Sequence, residues 1–370
     1  MLNRREMIKL GLAASAWAVG RPAACLAGDE ATLQNLGSVK GIELGIALSR
    51  DQMDNPVLLN FAISNCGLIT PGVELKWKRL RPSPDNFNFT DADWMLAFAT
   101  SHGIKLRGHN LCWNQNYPTW FSTTLNKSNA QKFLTDHIQT VVSRYRGKID
   151  SWDVVNEPIR VADNQANGLT DGIWPRLVGA QYIDICFQAA RAADPNALLV
   201  LNQDGLELET DFGQKTRNAT LQLVTDMVRR GVPIQAVGLE SHLNGSISMN
   251  SPGRTRFVMA IQELGLQVLV TEMDINDTRI TGTPDARQEA VGNDYYDYLV
   301  DVLPVSHVKH LIFWSPTNRN NWYDRAALTE SNMRRADGGQ HYPGLLNSEM
   351  QPTHAYWAVQ AALRKVPSTE

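Results

Sequence analysis

Eight short apolar runs alternate with amphipathic stretches along this 370-residue chain, and that rhythm predicts an α/β fold, a single (β/α)8 TIM barrel. Two further observations support it. The runs are rich in β-branched residues and lack polar alternation, as strands covered on both faces require. No GxGxxG or Walker-type loop follows an early strand, which removes the main support for a doubly wound sheet.

The strands are expected at Gly41–Ala47, Leu68–Leu75, Ile104–Cys112, Ile149–Asn156, Ala197–Asn202, Ala236–Ser241, Gln267–Thr271 and Val308–Trp314. Ser128–Tyr145 is the clearest helix. Phe133, Ile138, Val141, Val142 and Tyr145 recur near helical spacing, and Gly147 follows as a stop. Thr90–Ser101 opens with Thr90-Asp-Ala-Asp93, the pattern of a capping box. Asn218–Arg230 ends in Arg229-Arg230-Gly231, cations and a glycine suited to a helix C-terminus.

The N-terminus reads differently. Met1 to Lys9 carries Arg4 and Arg5, an apolar run covers Leu10–Gly20, and small residues lead to Ala27. This is the layout of a twin-arginine export signal over residues 1–27, cleaved near Ala27, with one catalytic domain over 28–370. A periplasmic or secreted monomer without membrane attachment after cleavage is the expectation, as no later apolar stretch is long enough to span a bilayer. Composition is that of an ordinary globular protein, 43% hydrophobic and 20% charged, with a net charge of -3. Acidic and basic residues are interspersed, so no nucleic-acid partner is implied. Cys66, Cys112 and Cys186 are left after signal removal. Their odd number and spacing argue for buried small hydrophobes, not a disulfide framework or metal site. No cofactor or metal is expected, since no HExxH or His-x-His pattern occurs.

Two of the expected strands end in glutamate: Ser151-Trp-Asp-Val-Val-Asn-Glu157 and Val268-Leu-Val-Thr-Glu272. A buried carboxylate costs several kcal/mol unless it is paired or useful. Either motif alone would read equally well as half of a structural ion pair. In a barrel, however, the C-terminal strand ends share one cleft, so the two carboxylates can meet across it. Such a pair is the machinery of glycoside hydrolysis. Other residues gather at the same strand ends: Lys76, His109, Trp113, Glu240, His242, Trp314 and, shortly after, Trp322. Aromatic faces and a few fixed polar groups are what a sugar needs. His242 can hydrogen-bond Glu272, and Asp274, on the same strand face as Glu272, can fix the histidine in turn.

The chain resembles the family 10 glycoside hydrolases, the endo-β-1,4-xylanases. The match lies in Glu74-Leu-Lys76-Trp77, Arg107-Gly-His109-Asn-Leu-Cys-Trp113, Trp152-Asp-Val-Val-Asn156-Glu157, Gly238-Leu-Glu240-Ser-His242, Thr271-Glu272-Met-Asp274 and Trp314-Ser-Pro-Thr-Asn-Arg-Asn-Asn-Trp322. The resemblance implies a retaining mechanism, with Glu157 as acid/base and Glu272 as nucleophile, and carboxyl groups about 5–5.5 Å apart. It implies that Asn156 binds the 2-hydroxyl of the sugar being cleaved, that Lys76, His109, Trp113, Asn202, Glu240 and His242 belong to the same site, and that Trp314 and Trp322 close over the sugar. The partner would be xylan or a related β-1,4-glycan.

Several positions depart from the family pattern. Gly72-Val73 stands where the family carries Glu-Asn, Glu240 where it carries Gln, Asn110 where it carries Thr, Asn114 and Asn116 where it carries His and Gln, and Asn318 where it carries Asp. The loss at Gly72-Val73 removes hydrogen bonds to the second sugar on the non-reducing side, each worth on the order of 1 kcal/mol. The same chemistry on another β-linked glycan (a glucan, a mannan or a branched exopolysaccharide) and a non-catalytic glycan-binding barrel are the alternatives.

Overall fold

In the computed structural model, the described residues are 31–165, 167–306 and 308–367. The leader expected over residues 1–27 lies outside them. Among the described residues nine strands form: β1 Glu43–Leu48, β2 Leu68–Pro71, β3 Lys105–Gly108, β4 Ser151–Asn156, β5 Leu198–Gln203, β6 Ala236–Leu239, β7 His242–Asn244, β8 Gln267–Asn276 and β9 His310–Phe313. All neighbouring pairs are parallel, β6 pairs with β8, and β9 pairs with β1. Those two pairings close an eight-stranded barrel. The ninth strand, β7, stands outside the ring and lies along the upper part of β8, with His242 opposite Asp274.

Closure explains the composition of the runs. Every residue of β2, β4, β6 and β9 is buried, so neither face tolerates the polar alternation of an open sheet. The main core lies between barrel and helices, and Val200, Ala236 and Leu269 form a separate small cluster. One close approach depends on glycine. A Cβ at Gly108 would sit 2.0 Å from the Trp152 ring, so only hydrogen lets β3 and β4 pack there.

The differences from expectation have local causes. β2 stops at Pro71, which has no N–H to continue a ladder. β8 runs to Asn276, past the expected end at Thr271, because β7 supplies backbone partners beyond that point. Glu272 therefore sits inside its strand, not at its end. The helix at Thr90–Ser101 has the expected bounds, but no capping box forms. Its N-cap is Phe89 without a side-chain bond, Asn88 accepts the Thr90 N–H at 3.1 Å, and Asp93 instead holds Arg144 and Tyr145. The helix expected from Asn218 begins at Asp211, capped by Thr210, whose hydroxyl accepts from Gly213 N. The helix at Ala130–Arg144 agrees with its prediction to within two residues at either end.

Cys66, Cys112 and Cys186 are free and buried. Among the described residues no helix is long and apolar enough to cross a membrane.

Candidate active site

The C-terminal ends of the strands surround a cavity of about 910 Å³. Of the residues singled out from sequence, Lys76, His109, Trp113, Asn156, Glu157, Glu240, His242, Glu272, Trp314 and Trp322 all line it. Asn202 does not line the cavity but holds its carboxylates, and Asp274 stands behind His242.

Glu157 follows the last residue of β4 in a left-handed backbone conformation, φ 48°. A non-glycine residue pays for that geometry, which is held when neighbouring contacts over-determine it. Here they do. Its N–H donates to Asn202 O at 2.9 Å, and its carbonyl accepts from Thr170 Oγ1 at 2.9 Å. The carboxyl accepts from Asn156 Nδ2 and Gln115 Nε2, both at 3.1 Å.

Glu272 is nearly buried, 4% exposed. Its Oε1 accepts from Asn202 Nδ2 at 2.7 Å, and its Oε2 lies 3.4 Å from His242 Nε2. The same Asn202 amide reaches Asn156 Oδ1 at 2.8 Å and Glu240 Oε1 at 3.1 Å, while Thr271 Oγ1 donates to Asn202 Oδ1 at 2.6 Å. A hydrogen-bonded line thus runs from Glu272 through Asn202 and Asn156 to Glu157. Gly238 makes room for it, since a Cβ there would lie 2.2 Å from Asn202 Oδ1.

The two acids are pushed in opposite directions. Burial, followed by the charges of Asp204 and Glu272, raises Glu157 to about 8. Glu272 also loses hydration on burial, but nearby positive groups outweigh that loss and bring it down to about 2. His109 is the largest of these, then His242 and Lys76. Burial lowers the pKa of His109 itself, so at neutral pH the weight falls on His242 and Lys76. His242 remains charged against its own burial because Asp274 and Glu272 hold the imidazolium, raising its pKa well above the usual value.

Asp274 does more than orient His242, whose Nδ1 lies 2.7 Å from Oδ1. It also accepts from Tyr323 OH at 2.7 Å, Ser315 Oγ at 2.8 Å and Trp322 Nε1 at 2.6 Å. One buried carboxylate therefore fixes both a wall of the cavity and the histidine on Glu272. Lys76 Nζ sits 4.9 Å from the Trp113 ring centroid and 5.5 Å from that of Trp314. Trp314 packs edge-on against His109, with centroids 5.0 Å apart.

Six contributing residues went unnamed in the sequence reading. Asp153 binds both Arg107 and His109, the latter at 2.8 Å. Asp204, Glu207, Gln115 and Ser315 line the cavity, and Tyr323 supports Asp274. Asp153 and Asp204 carried a usable signal. Each is an acid inside or just after an apolar strand, the feature that exposed Glu157. Gln115 lies in a loop and Tyr323 in a short helix, Trp322–Ala326, and no local pattern places either against the site.

Of the departures, only Gly72, Val73 and Glu240 line the cavity. Asn114 is turned inward, accepting from Trp174 N and donating to Tyr182 OH. Asn318 accepts from Gly344 N at 2.7 Å, and Asn110 reaches His109 Nε2 at 3.3 Å. Glu240 is 2% exposed, and burial together with the neighbouring acids raises its pKa well above the ordinary value.

Residues 32–362 match the model of glycosyl hydrolase family 10. The chain is 32% identical over 259 residues to endo-1,4-beta-xylanase 3 of Hypocrea jecorina, covering 70% of this chain and 69% of that protein. It is 26% identical over 315 residues to endo-1,4-beta-xylanase B of Thermotoga neapolitana, covering 82% and 88%. Among solved structures it resembles native xylanase 10B from Thermotoga maritima, with a TM-score of 0.78, 25% identity, and coverage of 90% of this chain and 98% of that one. It also resembles a xylanase 10C mutant from Cellvibrio japonicus in complex with xylopentaose, with a TM-score of 0.80, 25% identity, and coverage of 92% and 70%.

Proposed function

The chain belongs to glycosyl hydrolase family 10, and from that premise we propose that it is a retaining endo-β-1,4-xylanase in which Glu157 is the acid/base and Glu272 the nucleophile. The observation that carries this reading is the opposed displacement of two carboxyls joined through Asn202 and Asn156 in one cavity. At neutral pH Glu157 holds the proton that the leaving oxygen needs, and Glu272 is ionised and ready to attack C1.

The steps follow from these states. Glu272 Oε2 or Oε1 forms a bond to the anomeric carbon as the glycosidic C–O bond breaks, and Glu157 delivers its proton to the departing oxygen. The glycosyl ester removes the charge of Glu272, and with it one cause of the raised Glu157 pKa. Glu157, now ionised, takes a proton from water, which attacks C1 and frees Glu272. Asn156 is placed to hold the 2-hydroxyl, with its amide oriented by Asn202. His242, pinned by Asp274, keeps Glu272 anionic and correctly aimed. Trp113, Trp314 and Trp322 supply flat apolar faces for the sugar. The export signal over residues 1–27 would place this activity outside the cytoplasm, which N-terminal sequencing of the exported protein tests.

Two measurements test the assignment. Proton NMR of early xylan products should show the β-anomer first; initial release of the α-anomer would overturn retention. Glu272→Ala should abolish turnover of an aryl β-xyloside and regain it with azide as the α-glycosyl azide, the inverted product of direct attack. Undiminished activity in that variant would remove the nucleophile assignment.

A second reading concerns the glycan alone. Gly72 and Val73 line the cavity where the family carries two polar residues, and a Cβ at Gly72 would meet only Leu48 backbone, at 3.8 Å. That open corner fits a chain with a substituent on the second non-reducing sugar. A product panel over linear xylan, substituted xylan and other β-1,4-glycans distinguishes the two.

A further inference from the structure

Neither of the two metal-capable groupings among the described residues was legible in sequence, because each draws on separate strands. The first is His109, Asp153 and Glu272. It is closed to a cation, since Asp153 is fully buried and both its oxygens are engaged by Arg107, with His109 on one of them. The second is Glu240, His242 and Glu272, whose donor atoms all lie within 4.8 Å of one another. This one opens on the cavity.

Its donors are already gathered, and a small inward shift of Glu240 would bring them to bonding geometry. His242 Nε2 lies 3.4 Å from Glu272 Oε2 and 3.8 Å from Glu240 Oε2. Ligand-to-ligand edges of about 3.3–3.5 Å are what metal bonds of about 2.0–2.2 Å produce in a tetrahedral site. Both Oε1 atoms lie on the Asn202 Nδ2 side, at 3.1 and 2.7 Å, and both Oε2 atoms lie on the side of the same imidazole nitrogen. The other nitrogen, Nδ1, is held by Asp274 at 2.7 Å. A carboxylate behind a histidine is the usual support of a metal-ligating imidazole.

We propose that Glu240, His242 and Glu272 form an inhibitory site for a divalent transition-metal ion of the zinc and copper class, one that binds in competition with substrate. One nitrogen and two oxygen donors suit those ions better than magnesium or calcium, which favour all-oxygen shells. Binding displaces the protons held at Nε2 and on Glu240, which leave to solvent. The ion then occupies the lone pair with which Glu272 would attack, and hydrolysis stops. The glutamate at position 240 is what completes the trio, because an amide there offers no anionic ligand. The site stands on three side chains and does not depend on which glycan the enzyme cleaves.

Calorimetric titration of the whole protein with zinc chloride should give one saturable site. Glu240→Gln should weaken that binding at least tenfold while still unfolding cooperatively without metal, at a melting temperature no lower than that of the parent. Cobalt(II) added to the parent protein should gain an intensified visible absorption that zinc bleaches, a readout that needs no variant. Inhibition of aryl β-xyloside hydrolysis should raise KM, leave kcat, and reverse with chelator. Absence of saturable zinc binding, a cobalt spectrum unchanged from that of the aqueous ion, or a Glu240→Gln protein that binds zinc as tightly as its parent would each overturn the site. None of these binding measurements depends on turnover, so loss of the xylanase reading would leave them standing.

Discussion

Replacing Glu157 by glutamine should make the protein inactive and more stable, and the gain should grow with pH. The folded-state value of about 8 lies above the ordinary 4.5, so the folded protein binds a proton that the unfolded chain releases. Stability from this group is fully present below about pH 4.5 and is lost as pH rises toward 8. Between 4.5 and 7 the loss accumulates over about 2.5 units at about 1.4 kcal/mol each, on the order of 3 kcal/mol at pH 7. Glutamine cannot ionise, so it escapes that cost. It also keeps the left-handed backbone of the native residue, so the strain at φ 48° is common to both proteins. An amide cannot accept from both Asn156 and Gln115, which returns about 1 kcal/mol. The net gain is about 2 kcal/mol at pH 7. With an unfolding entropy of about 2.1 cal/mol/K per residue, a chain of this size changes by about 0.7 kcal/mol per degree, so the melting temperature should rise about 3 °C. Scanning calorimetry at pH 4.5, 6, 7 and 8, at one scan rate, measures it. A shift that is constant across that range, or a variant less stable than its parent at pH 8, would show that Glu157 is not held protonated by the fold.

Other outcomes follow from the same geometry. Asp204→Asn removes the largest charge holding the Glu157 value up, so the alkaline limb of kcat/KM should move to lower pH; an unmoved limb would detach Asp204 from the acid. Asp274→Asn takes an anionic partner from His242 and a shared acceptor from Ser315, Trp322 and Tyr323. Thermal or urea unfolding should show a loss of about 3 kcal/mol, and kcat should fall with it; an intact kcat would mean that His242 needs no help. The double change Gly72→Glu with Val73→Asn fills the open corner of the cavity. It should raise kcat/KM on linear xylan roughly 5- to 25-fold, at about 1 kcal/mol per hydrogen bond, and lower it on chains substituted at that sugar.

The alternation of apolar runs was enough to give the barrel, because closure buries both faces of the barrel strands, with only Lys105 and Gln267 exposed at the starts of β3 and β8, and leaves no solvent-facing polar stripe to confuse the reading. It was also enough to bring positions 157 and 272 to one cavity, since parallel strands all end at the same mouth. What it missed depends on partners remote in sequence. β7 is three residues long and exists only because the upper half of β8 offers it hydrogen bonds. The left-handed turns at Glu157 and Ser241 have no glycine to announce them. Ser241 is held there by Glu207, which accepts its N–H at 2.8 Å, and by Tyr298, 2.6 Å away. The capping pattern at Thr90 was a false lead, because Phe89 is the N-cap, which puts Thr90 inside the helix and leaves Asp93 to pair with Arg144 and Tyr145.

Glu240 is the point where the local chemistry has most room to differ from its family. Asn202 has two amide hydrogens but three oxygens within reach, on Asn156, Glu240 and Glu272. It cannot satisfy all three as charged or carbonyl acceptors, so the weakest acceptor yields. Burial beside two other carboxyls makes that Glu240, kept protonated with its pKa well above the ordinary value. A neutral Glu240 leaves Glu272 the only anion of the trio at Asn202, the same charge state an amide would give. The two side chains diverge only when Glu240 ionises. Each added negative charge then opposes ionisation of Glu157 while withdrawing the hydrogen bonds that support Glu272. Glu240→Gln should therefore match its parent in the shape of kcat/KM against pH on the acid side and differ on the alkaline side, where the parent falls through two coupled ionisations and the variant through one. Parallel alkaline limbs in the two proteins would mean that position 240 carries no titrating proton.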